Sequence, residues 1–219
     1  MKRIKDLTYS KNLLKELVKT DFKLRYQGSV LGIVWSVLKP LALFLIMYMV
    51  FVRFLKFTDG TPTFPIVLLL GISLWSFFAE ATTVGMRSIV DRGDILCKIN
   101  FPKVIIVLST TTGALIGLGI NLLVVIIFAI FSGVQFTWWL LLVPLGIIQL
   151  YAIAMGLTFI FAALYVKYRD VGHIWEVTLQ ALFYATPIIY PITMVIANYP
   201  LVAKIMMLSP VTQSIQDIR

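Results

Sequence analysis

Apolar residues fall along this chain in long runs, separated by short segments that hold most of the charge. One stretch departs from that layout. In residues 10–26, SKNLLKELVKTDFKLRY, Leu14, Val18 and Phe22 recur every four positions with Leu13 and Leu17 beside them. Lys11, Lys15, Lys19 and Lys23 recur with the same step on a neighbouring stripe. This spacing predicts an amphipathic helix with Ser10 as its N-cap. Its apolar face suits acyl chains and its lysines suit anionic headgroups, so it is read as lying along the membrane surface. A soluble helix packed on a partner would show the same spacing, but the apolarity of the remaining chain favours the surface.

The long runs predict membrane spans, because a hydrocarbon core of roughly 30 Å needs about 20 apolar residues per helix. The first runs from about Trp35 to Leu55, the second from Pro65 to about Thr83 and the third from about Val104 to Phe131. The fourth covers Trp138 to about Tyr165 and the fifth Ile174 to Tyr190. Lys39 and Pro40 are placed in the opening turns of the first span, where the lysine can snorkel and the missing N–H costs least. Trp138 and Trp139 fit an interfacial aromatic belt. After Pro191 the pattern changes: residues 192–210 hold short apolar runs broken by Asn198-Tyr199-Pro200 and Ser209-Pro210. Neither run can span, and each suits a short re-entrant or interfacial helix. The expected fold is all-α, a polytopic membrane helical bundle forming one domain over residues 1–219. Residues 1–32 are its interfacial segment, 35–191 its five spans, and 192–219 a segment on the far side.

Composition agrees. Sixty per cent of the 219 residues are hydrophobic, 13% are charged, and the mean hydropathy is +0.95. A soluble domain carries about a quarter charged residues. The basic start has no apolar core followed by a small-residue cleavage site, so it is not a signal peptide. The lone Cys97 excludes an intrachain disulfide, a CxxC redox pair and a cysteine-rich metal cage.

The net charge of +9 raises nucleic acid as a partner, but its distribution answers otherwise. Five alternating spans put residues 1–32, 87–103 and 165–173 on one side, with fourteen Lys/Arg; the other side holds four, Arg53, Lys56, Lys204 and Arg219. The positive-inside rule then places the N-terminus in the cytoplasm. Basic charge sets orientation and meets lipid headgroups, and no nucleic acid is needed to explain it.

Candidate chemistry is sparse. Asp170, His173 and Glu176 stand one helical turn apart. One imidazole and two carboxylates near a span's end are read as interfacial polar residues rather than a metal or catalytic site. Glu80 lies deep enough in the second span to face a cavity or partner, unless the span ends early and leaves it at the headgroups. Asn121 is placed to hydrogen-bond a neighbouring helix, and Gly113 and Gly117 form a GxxxG that favours close helix packing. No GxxxxGK[ST] occurs in the sequence, so ATP binding through a P-loop is not expected of this chain.

Four short motifs, taken in order, carry a resemblance. Arg25-Tyr26, Ser29, Gly32, Trp35 and Pro40 lie in the string RYQGSVLGIVWSVLKPL, followed by GDILCKINFPK at 93–103, KYRD with Arg169 and Asp170, and TPIIYP with Pro187, Tyr190 and Pro191. Together they resemble permeases of ABC-type polysaccharide exporters, which move O-antigen, teichoic acid and capsule chains. The resemblance covers roughly residues 10–215. It implies a homodimeric permease paired with a separate nucleotide-binding subunit that supplies the P-loop and binds ATP and Mg, with no cofactor in this chain.

It further implies that residues 87–103 form a coupling helix against the ATPase, with Asp94, Lys98, Phe101 and Pro102 as its contacts. Helix 10–26 becomes the interface helix, and the short helices after Pro191 become re-entrant gate helices. Trp75, Phe77, Phe78, Glu80, Phe183 and Tyr184 are then candidate channel liners, since aromatic rings stack on the C–H faces of sugars; packing and lipid-facing roles stay open for each aromatic. The family usually has six spans, so the resemblance implies a final span not seen in this sequence. The substrate would be a lipid-linked polysaccharide crossing the cytoplasmic membrane. A permease for a drug or lipid, a membrane enzyme of lipid-linked sugar metabolism and a non-transporting scaffold are the competing readings.

Overall fold

The computed structural model describes residues 11–21, 23, 28, 31–32, 34–56, 63–93, 102–134 and 138–218. All regular structure among these residues is helical. Residues 11–21 form α1, in which Leu13, Leu14, Leu17 and Val18 are half-buried while Lys11, Lys15 and Lys19 are exposed. The two stripes of the sequence pattern are thus two faces of one helix.

The first span, α2, is α-helical over Val34–Met47 and π-helical over Tyr48–Phe54. It stops where the Leu55 N–H donates to the Val50 carbonyl at 2.9 Å and Lys56 turns left-handed at φ 54°, a conformation that no L-residue helix continues. Pro40, the seventh residue of α2, lies in the opening turns as expected, but past the first turn in which a missing N–H costs least. It is buried there and cannot return a hydrogen bond to the Ser36 carbonyl.

The bundle is organised around α3, Phe64–Asp91. Pro65 opens it, at a position where the absent N–H is harmless. Its 28 residues extend about 42 Å. Of its most apolar stretch 61% is buried, against 6% for the first span, so α3 is the hub and α2 a peripheral element. Helix α4, Lys103–Phe131, starts at Pro102, and α5, Val143–Lys167, follows a 3-10 turn over Trp138–Leu142. Both pack on α3. At the α3–α5 crossing Gly85 lets the helices close: a Cβ there would lie 2.3 Å from Thr158 Cγ2.

Helices α2 to α5 are long and apolar enough to cross a membrane. The fifth apolar run is a shorter helix than expected. Helix α6 spans Val171–Ala185, 15 residues or about 22 Å, and ends because Pro187 holds Thr186 extended at φ −84° and ψ 127°. The two short helices after it, α7 at Ile192–Asn198 and α8 at Pro200–Leu208, match the apolar runs read from sequence. A further helix, α9 at Pro210–Ile218, was not expected. Its Val211, Ile215 and Ile218 are buried, and Ile218 seats on Gly146 of α5, where a Cβ would meet Ile218 Cγ1 at 2.5 Å.

Candidate functional site

Trp75 of α3 stands between two openings in the bundle. The larger, a cavity of about 610 Å³, lies between α2, α3 and α4. From α2 it receives Trp35, Ser36, Lys39 and Pro40; from α3 Ser76, Phe77, Glu80 and Thr83; and from α4 Gly117 and Asn121. The smaller, about 350 Å³, is lined by Leu43 and Met47 of α2 and by Leu179, Gln180, Phe183 and Tyr184 of α6. Trp75 touches both and packs its ring against Phe78 at 5.6 Å and Phe183 at 5.8 Å.

These positions sort the candidate liners. Trp75, Phe77 and Glu80 border the larger cavity, and Trp75, Phe183 and Tyr184 the smaller. Phe78 borders neither and is fully buried in the core. Glu80 lies well inside α3, which continues to Asp91, so the helix does not end at it. Asn121 does not reach another helix through its amide nitrogen: Nδ2 donates to the Gly117 carbonyl of its own helix at 3.1 Å. A Cβ at Gly117 would meet nothing within 4 Å, so this glycine opens the cavity rather than a helix contact.

The α3–α6 contact is held by polar groups in an apolar setting. The Trp175 indole N–H donates to Thr82 Oγ1 at 3.0 Å, and its ring lies 4.4 Å from that of Phe161. Arg87 pairs with Glu176 nearer the helix ends. His173, Asp170 and Glu176 are all exposed, and among the described residues no group of three His, Cys, Asp or Glu is placed to hold a metal. Arg169 stacks over Tyr165 at 5.4 Å.

The TPIIYP segment is folded inward. Thr186, Ile188 and Ile189 are buried. Gln216 Nε2 of α9 donates to the Pro187 carbonyl at 2.9 Å, and Tyr190 OH donates to the Tyr184 carbonyl at 2.9 Å. Pro191 caps α7. Helix α9 therefore braces the break that terminates α6.

At the other end, Asp21 of α1 pairs with Arg92, the residue that ends α3, and accepts from Ser109 Oγ of α4 at 3.0 Å. Arg92 Nη1 also donates to Ser109 Oγ at 3.3 Å. This three-way junction was missed in the sequence. Its signal was present, because Asp21 is an acid on the stripe of Leu14, Leu17 and Val18, where an apolar residue belongs. Of the expected coupling contacts, Asp94, Lys98 and Phe101 lie outside the described residues, as do Arg25, Tyr26 and Ser29; Pro102 caps α4. Gly32 has a left-handed φ of 49° ahead of α2.

Comparison with known proteins bears on this arrangement. Residues 12–219 match the family described as ABC-2 type transporter. The chain is similar to the O-antigen export system permease protein RfbA of Myxococcus xanthus, 30% identical over 190 residues, covering 87% of this chain and 72% of that protein. Two proteins of the same name from Klebsiella pneumoniae are each 28% identical over 191 residues, covering 87% of this chain and 73% of their own length.

Proposed function

Since the chain belongs to the ABC-2 type transporter family, it is a transport permease rather than an enzyme and works with an ATPase; we propose that its cargo is a lipid-linked polysaccharide of the O-antigen type. The observation that carries this reading is similarity to O-antigen export permeases over 87% of the chain. Teichoic acid and capsule chains are related cargoes of the same chemistry.

In this reading two copies of the chain enclose the path, and the partner ATPase binds ATP and Mg. The N-terminus is cytoplasmic in the cytoplasmic membrane, as the fourteen-to-four charge bias supports. Helix α1 lies on the inner headgroups. Asp94, Lys98, Phe101 and Pro102 contact the ATPase, and movement there reaches α3 and α4, which flank that segment. Trp75, Phe183 and Tyr184 offer aromatic faces to sugar rings, while α7 and α8 sit at the outer exit. The weakly polar lining suits a hydroxylated chain better than a hydrophobic drug or a bare lipid, which would be the cargo of the alternative permease reading.

The test is export in a strain deleted for this gene. Restoring the gene returns polysaccharide to the cell surface if the reading holds. Accumulation of lipid-linked polysaccharide inside the deleted strain accompanies it. Normal surface polysaccharide in the deleted strain would refute it.

A further inference from the structure

Resting on the polysaccharide reading, we propose that the cavity between α2, α3 and α4 is a saccharide-binding subsite, one within each copy of the chain and separated from the α6 groove by Trp75. Its volume of about 610 Å³ falls in the ~300–1,000 Å³ range of small-molecule sites.

The wall chemistry selects the ligand class. Lys39 provides only donors and Glu80, when ionised, only acceptors, while Ser76 and Thr83 provide both. Asn121 commits its Nδ2 to the Gly117 carbonyl at 3.1 Å and keeps its amide oxygen as an acceptor. Donors and acceptors thus both line the space, which the indole side chains of Trp35 and Trp75 also border. An acyl chain would lay hydrocarbon against an ammonium and a carboxylate, which is costly. A compact anion drawn to Lys39 would face Glu80. A sugar satisfies both requirements, because its hydroxyls donate and accept around the ring edge while its C–H faces lie on aromatics.

Gly117 supplies an independent indication. Glycine costs a helix about 1 kcal/mol relative to alanine, and here no packing contact offsets that cost, since a Cβ would meet nothing within 4 Å. What the missing side chain provides is open volume in the cavity that Gly117 lines. Gly119, two positions on, also meets nothing within 4 Å but is exposed and does not border the cavity. The pair therefore separates the cavity from the helix as such.

The experiment uses the complete complex with its ATPase in lipid nanodiscs. The probe is the set of oligosaccharides released by mild acid from the surface polysaccharide of the producing cell, titrated by tryptophan fluorescence, with export measured in cells. Gly117→Leu should weaken oligosaccharide binding at least tenfold and reduce export, while Gly119→Leu leaves both unchanged. Asn121→Leu should weaken binding in the same direction. Parent-like binding by both Gly117→Leu and Asn121→Leu overturns the subsite and leaves the transport reading intact. So does a parent complex that exports polysaccharide but whose cavity yields a phospholipid headgroup instead of a sugar. A complex that exports no polysaccharide overturns both.

Discussion

Asp21 and Arg92, 71 residues apart, form an ion pair that fastens the amphipathic helix α1 to the end of α3. Ser109 of α4 completes the junction by donating to the same carboxylate at 3.0 Å. Three elements therefore meet at one carboxylate beside the segment that joins α3 to α4. The side chains are 12% and 17% exposed, so the pair is shielded enough to count. Asp21→Asn should lower stability by about 1–3 kcal/mol, the cost of leaving a partly buried guanidinium poorly paired. Thermal unfolding in detergent of Asp21→Asn, Arg92→Met and the double variant measures it. The double variant should be less destabilised than the sum of the two, and strict additivity would show that the residues do not interact.

Trp175 and Thr82 make the corresponding link between α6 and α3. Trp175→Phe keeps an aromatic ring near Phe161 but removes the donor, and should cost about 0.5–1.5 kcal/mol. Thr82→Val added to that background should cost little more, because the bond is already gone. A melting series over the four proteins reads the difference.

Gly85 and Thr158 set how closely α3 and α5 approach. Gly85→Ala places a methyl 2.3 Å from Thr158 Cγ2 and should destabilise by about 1–3 kcal/mol through overpacking. Thr158→Ser removes that methyl while keeping the hydroxyl, which donates to the Ala154 carbonyl at 2.6 Å. The double variant should recover most of the lost melting temperature, whereas a loss unaffected by Thr158→Ser would place the strain elsewhere.

Orientation can be read from Cys97, the only cysteine in the sequence. It falls between α3 and α4, on the Lys/Arg-rich side that the proposed orientation assigns to the cytoplasm. A membrane-impermeant maleimide should label it in inside-out vesicles and not in intact spheroplasts. Labelling confined to spheroplasts would invert the topology.

Much of the architecture was legible because bilayer thickness writes itself into apolar run length. The spans α2, α4 and α5 begin and end within a few residues of their runs. Helix α3 continues past Thr83 through Arg87 and Asp91, which read as loop residues. There tertiary contacts override composition: Met86 and Ser88 are buried and Arg87 reaches Glu176. The fifth run misled in the opposite way, since apolarity continues through Ile188 and Ile189 while the backbone breaks at Pro187. Those isoleucines are apolar because they are buried in the break, not because they span. Helix α9 was hidden by its polar residues, although Val211, Ile215 and Ile218 carry helical spacing.

The site was legible only in part. Glu80 stood out as a carboxylate within a span, but its cavity is assembled from three helices and no single segment encodes it. Gly117 was read as a packing glycine, and only the neighbouring space shows its other use.

The most direct measurement is co-purification of this chain in detergent with a P-loop ATPase, followed by an ATPase assay on the isolated complex. The expected product is a stable assembly of two permeases with two ATPase subunits, whose hydrolysis is lost when the ATPase P-loop lysine is replaced. A permease that retains its helical fold and melting transition but captures no P-loop partner would contradict that pairing.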